Sequence, residues 1–294
     1  MFDAIKYSSL QLREINSPCI PFGPSFKRAQ PSKIRLPLCT LELRLPKHNR
    51  IRGDSTGQRK IGSDIYDLEG RSFNRNIMPS QSWEYSSIAN RKWAFNGPWF
   101  SGLMGQLTFS AVAVKTTISN PKLNFLHPRA FESGVFGYLT ASEGHALYDE
   151  GRKIPEYKAP LNWSPIPNLP VPAVQFDMEM ATPICRYHLA FIPVSRDRLV
   201  CLRFDYWQEC SGSQDEKDQK ISPKPMQDLI DNIIRSVTLT PSPELEAELG
   251  EIRKICPNLS VSPECSPLKW PADVDKDGIT ILEYDKRRYA LPTH

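Results

Sequence analysis

The chain has 294 residues, 40% of them hydrophobic and 24% charged, with a formal net charge of only +4. That balance excludes a disordered chain of low hydrophobicity, and the length accommodates one large core or two smaller ones. No stretch approaches the roughly 18 consecutive apolar residues of a membrane-spanning helix.

The 27 prolines, spread along the chain, favour short strands and loops over long helices. Seven cysteines, none in a C-x-x-C pair, point to reduced thiols and argue against structural zinc. At the N-terminus, MFDAIKYSSLQLREINSPC places Asp3, Lys6, Arg13 and Glu14 where a signal peptide needs an apolar run, so a cytoplasmic location is expected.

Charge is uneven. Residues 1–60 carry 12 Lys and Arg against 4 Asp and Glu, whereas residues 241–294 carry 7 against 10. The proline-rich basic arm, residues 1–33, is expected to be solvated and partly ordered. It is read as lacking the aromatic interleaving that stacks bases, so nucleic acid is not expected as a partner.

An N-terminal α+β half is expected over 34–160. The alternation in Ile34–Pro46, IRLPLCTLELRLP, predicts a half-exposed strand. The loop that follows contains Arg52-Gly53-Asp54-Ser55 and a G-x-S-x-G pattern around Ser55. Its charged flanks lack the buried strand and the helix that a nucleophile elbow requires. Next, Trp83, Trp93, Phe95, Trp99 and Phe100 crowd around an Asn96-Gly97-Pro98 turn. Antiparallel strands with bulky residues on one face are expected. Phe131, Val135, Phe136 and Leu139 fall at helical spacing behind Pro128.

The five prolines of 157–172 mark a linker. Beyond it, 161–240 is expected to form an antiparallel sheet plus helix, either separate from the first half or continuous with it. AVQFDMEM, RYHLAFIPV and RLVCLRFDY are strand-like, the last two joined at Ser195-Arg196-Asp197. A polar loop, QECSGSQDEKDQKISPK, leads to a helix with Met226, Leu229, Ile230, Ile233, Ile234 and Val237 on one face. A further helix, capped by Ser242, and a C-terminal hairpin are expected over 241–294. The fold class is therefore α+β, with antiparallel sheets and amphipathic helices packed on them.

Chemistry is sparse. The five histidines show no metal-ligand spacing. Cys185 and His188 would face opposite sides of one strand, so a thiol–imidazole couple is not expected. The calcium-like loop at Asp273, Asp275, Asp277 and Gly278 spells D-x-D-x-D-G, with Glu283 as a further ligand one position early for an EF-hand. The displaced Glu283 and the prolines before Asp273 favour instead an acidic Asp277-Gly278 turn opening a hairpin. No cofactor is expected beyond that calcium, and no catalytic motif marks an enzyme.

The order AVQFDMEM, RYHLAFIPVSRDRLVCLRFDY, KPMQDLIDNIIRSVTL resembles DcrB/PsbP-like α+β domains. Together with the GPWFSG segment it also resembles bacterial immunity proteins of type VI secretion and other polymorphic-toxin systems. The resemblance implies a protein that occludes the active site of a cognate toxin, such as a cytoplasm-acting nuclease. Asp215, Glu216 and Asp218, and Asp273, Asp275 and Asp277, are the candidate toxin-binding acids.

Overall fold

A computed structural model describes residues 2–14, 17–49, 61–62, 65–66, 83–117, 123–143, 157–180 and 185–268. In chain order the elements are α1 (Phe2–Lys6), β1 (Gln30–Arg35), β2 (Cys39–Leu45), β3 (Trp83–Asn96), β4 (Leu103–Thr116), α2 (Pro128–Glu143) and β5 (Tyr157–Pro165). There follow β6 (Val174–Met180), β7 (Arg186–Pro193), β8 (Arg198–Gln208), α3 (Gln214–Lys220), α4 (Lys224–Arg235), β9 (Thr238–Pro241) and α5 (Pro243–Ile255). The fold is α+β: a six-stranded antiparallel sheet ordered β3-β4-β8-β7-β6-β5 and a three-stranded one ordered β1-β2-β9.

Both faces of the large sheet are covered, and the strand sequences show why. In β8, Val200, Leu202 and Phe204 enter one apolar cluster while Leu199 and Cys201 enter another. The first cluster joins the large sheet to the small sheet and to α4 and α5, through Leu41, Leu43, Ile230, Ile233 and Leu245. The second places Phe131, Val135 and Leu139 of α2 against Phe176, Leu189 and Phe191. Antiparallel sheets more often leave one face wet; two covers require near-continuous apolar runs such as LVCL and AFIPV.

A β-bulge between Ser87 and Ala89 reverses the phase of β3. Before it, Trp83 points into the α2 cluster and lies 6.0 Å from Phe125; after it, Trp93 and Phe95 point into the opposite core. The expected single bulky face is therefore two faces, because one extra residue flips all that follow.

Other expectations are corrected. Ile34–Pro46 spans two strands, β1 and β2, separated at Leu36–Leu38, where Leu36 N–H donates to Cys39 O at 2.8 Å. The proline-rich 157–172 begins as β5, an edge strand with register shifts, and is not a free linker. Prolines are tolerated there because an edge strand needs only half its ladder. The chain after α5 flanks this edge: Leu268 N–H donates to Ala159 O at 2.8 Å, and Trp163 Nε1 to Ser262 O at 2.8 Å. The polar loop contains α3, and Thr238 and Leu239, expected as the end of a helix, lie in β9 beside β2. The arm is hydrogen-bonded rather than solvated throughout: Leu12 N–H donates to Phe100 O at 2.7 Å, and Cys19 N–H to Lys220 O at 2.9 Å.

Ile233 is fully buried between the sheets. Ile233→Ala should lower unfolding free energy by about 2–5 kcal/mol in urea titration, while Asp231→Ala, on the exposed face of α4, should stay within about 0.5 kcal/mol.

Candidate functional site

Of the sequence-derived acids, the structure gives three distinct settings. Glu216 closes a capping box on α3: Ser213 N–H donates to its Oε2 at 2.7 Å, and Glu216 N–H donates to Ser213 Oγ at 3.4 Å. The backbone N–H of Ser213 holds this carboxyl below its usual range. Asp218 accepts both guanidinium arms of Arg186, at 2.8 and 2.9 Å, and Gln208 Nε2 at 2.6 Å. Of the three, Asp215 alone stands exposed with no such partner among the described residues. Asp273, Asp275, Asp277 and Glu283 lie outside the described residues, as does Ser55. Among the described residues no group of three His, Cys, Asp or Glu side chains could hold a metal ion.

A polar network runs across the ends of β6, β7 and β8. Asp177 and His188 are directly opposed across the β6–β7 ladder, with Asp177 Oδ1 2.7 Å from His188 Nδ1. Asn162 Nδ2 donates to Asp177 Oδ2 at 2.7 Å, and Gln175 Oε1 lies 3.3 Å from His188 Nε2. Burial alone would raise the Asp177 pKa, yet the His188 bond and charge, Asn162 and Arg186 together lower it. Asp205 shifts the other way, because burial outweighs the adjacent Arg203. Both ring nitrogens of His188 are engaged, so it cannot take a proton from a nucleophile without breaking one of these contacts. Cys185, its neighbour in sequence, has its thiol pushed up chiefly by burial, which keeps it protonated and weakly nucleophilic.

The arm and the β3–β4 tip form a second region, which the sequence reading passed over. Of the large apolar side chains exposed among the described residues, Phe2, Ile5, Leu10, Leu12, Ile20, Phe22 and Trp99 lie here, and Ile65 and Ile255 elsewhere. Trp99 and Phe100 occupy left-handed backbone conformations, with φ of 53° and 62°. Such a conformation costs a bulky side chain on the order of 1–3 kcal/mol and persists only where the surroundings impose it. Here the arm imposes it: Trp99 N–H donates to Lys6 O, Leu12 N–H takes Phe100 O, and Phe2 meets the Trp99 ring edge-on at 6.0 Å.

Beside this surface opens a cleft of about 940 Å³ between the arm, the end of β2 and the end of β3. Tyr7 and Phe22 stack at 4.6 Å on its wall. Lys27, Arg28 and Lys47 line it, together with His48, whose Nδ1 accepts the Lys92 N–H at 2.9 Å, and Asn96.

No protein-family model, curated protein or solved structure matches the chain. The geometry is thus the basis for any assignment.

Two measurements check the network. Asp177 has a folded-state pKa below its unfolded value of about 3.9, so its contribution is fully present above about pH 4 and is lost as pH falls through the folded value. The melting temperature of the native chain should fall more steeply on acidification than that of Asp177→Asn. At neutral pH, Asp218→Ala should cost about 1–2 kcal/mol by removing the carboxylate from Arg186, against under about 0.5 kcal/mol for Asp215→Ala.

Proposed function

We propose that the protein acts by binding another protein, as an immunity-type inhibitor that covers the active site of a cognate toxin of a type VI or related secretion system. The observation that carries the reading is the strained presentation of Trp99 beside exposed Phe2 and Leu12. Contiguous exposed apolar surface is costly in a free protein and marks association surfaces, where aromatic anchors supply most of the energy. Cations at the rim, Lys6 and Arg13, favour a partner surface that is apolar at its centre and acidic at its edge.

The candidate acids of α3 enter this reading differently from one another. Asp218 holds Arg186 and Gln208 with its oxygens, and Glu216 holds Ser213 with Oε2, so both order α3. Asp215 remains open to a partner. An inhibitor of this kind works by occlusion and needs no reacting group of its own, which agrees with a His188 committed to Asp177 and Gln175.

The test is co-expression with a toxin encoded beside this chain. Restored growth and a stable complex are expected, and Leu12→Asp with Trp99→Asp should weaken the complex at least about 30-fold. Loss on Asp215→Ala with the apolar variant intact would move the interface to α3. Absence of both protection and complex would overturn the reading.

A further inference from the structure

We propose that the cleft between the arm and the ends of β2 and β3 binds a nucleotide, a planar base carrying phosphate, either free or within a single strand. Three features of its lining point to that chemistry, and none of them is required by the immunity reading.

Charge comes first. Lys27, Arg28 and Lys47 are exposed at the cleft, and no Asp or Glu is among its described lining residues. None of the three makes an ion pair with a described residue. Three cations converging without a carboxylate suit a phosphate better than a neutral ligand.

The second feature is the ring pair. Tyr7 and Phe22 stack at 4.6 Å with their planes 23° apart, and Phe22 remains 48% exposed. A base can extend such a stack, at a gain of about 1–3 kcal/mol per base. The pair is held in place by the backbone: Phe22 and Asn96 exchange N–H···O bonds of 2.8 and 2.9 Å. Gly23 lets the chain lie flat on the core beneath, since a Cβ there would stand 2.2 Å from Phe95 Cε1.

Third, Asn96 lines the cleft with Oδ1 buried and without a hydrogen-bond partner among the described residues. A buried acceptor left unmade is costly, and a rotation of the Asn96 amide toward the cleft would pair it with the exocyclic amine of a base, a donor of the right kind. The volume of about 940 Å³ falls within the range of small-ligand sites. Phosphate alone would satisfy the cations but neither the ring pair nor the amide; an uncharged aromatic would leave the cations idle.

Calorimetric titration of the full chain separates the possibilities, with adenosine monophosphate, adenosine, inorganic phosphate and single-stranded hexa-adenylate RNA as probes. The monophosphate should bind at least ten-fold more tightly than adenosine or phosphate, and more weakly as salt rises. Lys27→Ala/Arg28→Ala/Lys47→Ala should lose at least ten-fold in affinity at unchanged melting temperature, because all three side chains are exposed. Phe22→Leu should erase the preference for monophosphate over phosphate. Hexa-adenylate binding more than ten-fold tighter than the monophosphate assigns the site to single strands; equal binding assigns it to free nucleotides. No binding of either, phosphate binding as well as the monophosphate, or an unaffected triple variant would overturn the proposal. Leu12→Asp with Trp99→Asp lies outside the cleft lining and should bind nucleotide normally, so the two readings fail separately.

Discussion

Strand β8 is hydrogen-bonded along its length to β4 on one side and β7 on the other, and from Leu199 to Leu202 its side chains are buried alternately in two cores. Everything else is arranged by the need to keep water from both of its faces. The small sheet with α4 and α5 closes one side, and α2 closes the other. On this part of the sheet Arg186 and Gln208 meet Asp218, and Asp177 meets His188, so that the polar side chains satisfy one another. A carboxylate placed there is therefore a structural element before it is anything else, since leaving it unpaired would cost more than the network returns.

That arrangement explains what could be read from residues alone. Periodicity is a direct print of burial, so α4, with Met226, Leu229, Ile230, Ile233 and Ile234 inward, was legible, as were the runs of β6, β7 and β8 and the Ser242 cap, whose Oγ accepts Leu245 N–H. The failures lie where local chemistry overrides the pattern. Short α3 buries no side chain and so has no apolar stripe; its signal was the Ser213-x-x-Glu216 capping box, which is polar. Strand β5 is punctuated by prolines that an edge position forgives. The bulge in β3 is invisible to any counting scheme that assumes an unbroken two-residue period.

The site was less legible than the fold, for a different reason. Sequence shows which acids exist but not which are already engaged: Asp215 and Asp218 look alike as letters, yet one is open to solvent and the other chelates Arg186. Likewise Tyr7, Phe22 and Lys47 lie apart in the chain, and contacts of each neighbouring segment with β3 and its tip, Lys6 with Trp99, Phe22 with Asn96 and His48 with Lys92, bring them to one cleft. Long-range convergence of this sort leaves no spacing to find. The arm is expected from its residues alone to be solvated and partly ordered, because its apolar residues find a shared surface only once the β3–β4 tip is folded against them.

The phase reversal in β3 also constrains how this chain can vary through descent. Loss of one residue near Ser87–Ala89 would carry Trp83 out of its core or Trp93 and Phe95 out of theirs, whereas loss or gain of two residues preserves both assignments. The β3–β4 hairpin can therefore lengthen or shorten in pairs of residues but not singly. Such length changes would move the tip bearing Trp99 outward or inward along a fixed line, letting lineages adjust its reach without rebuilding either core.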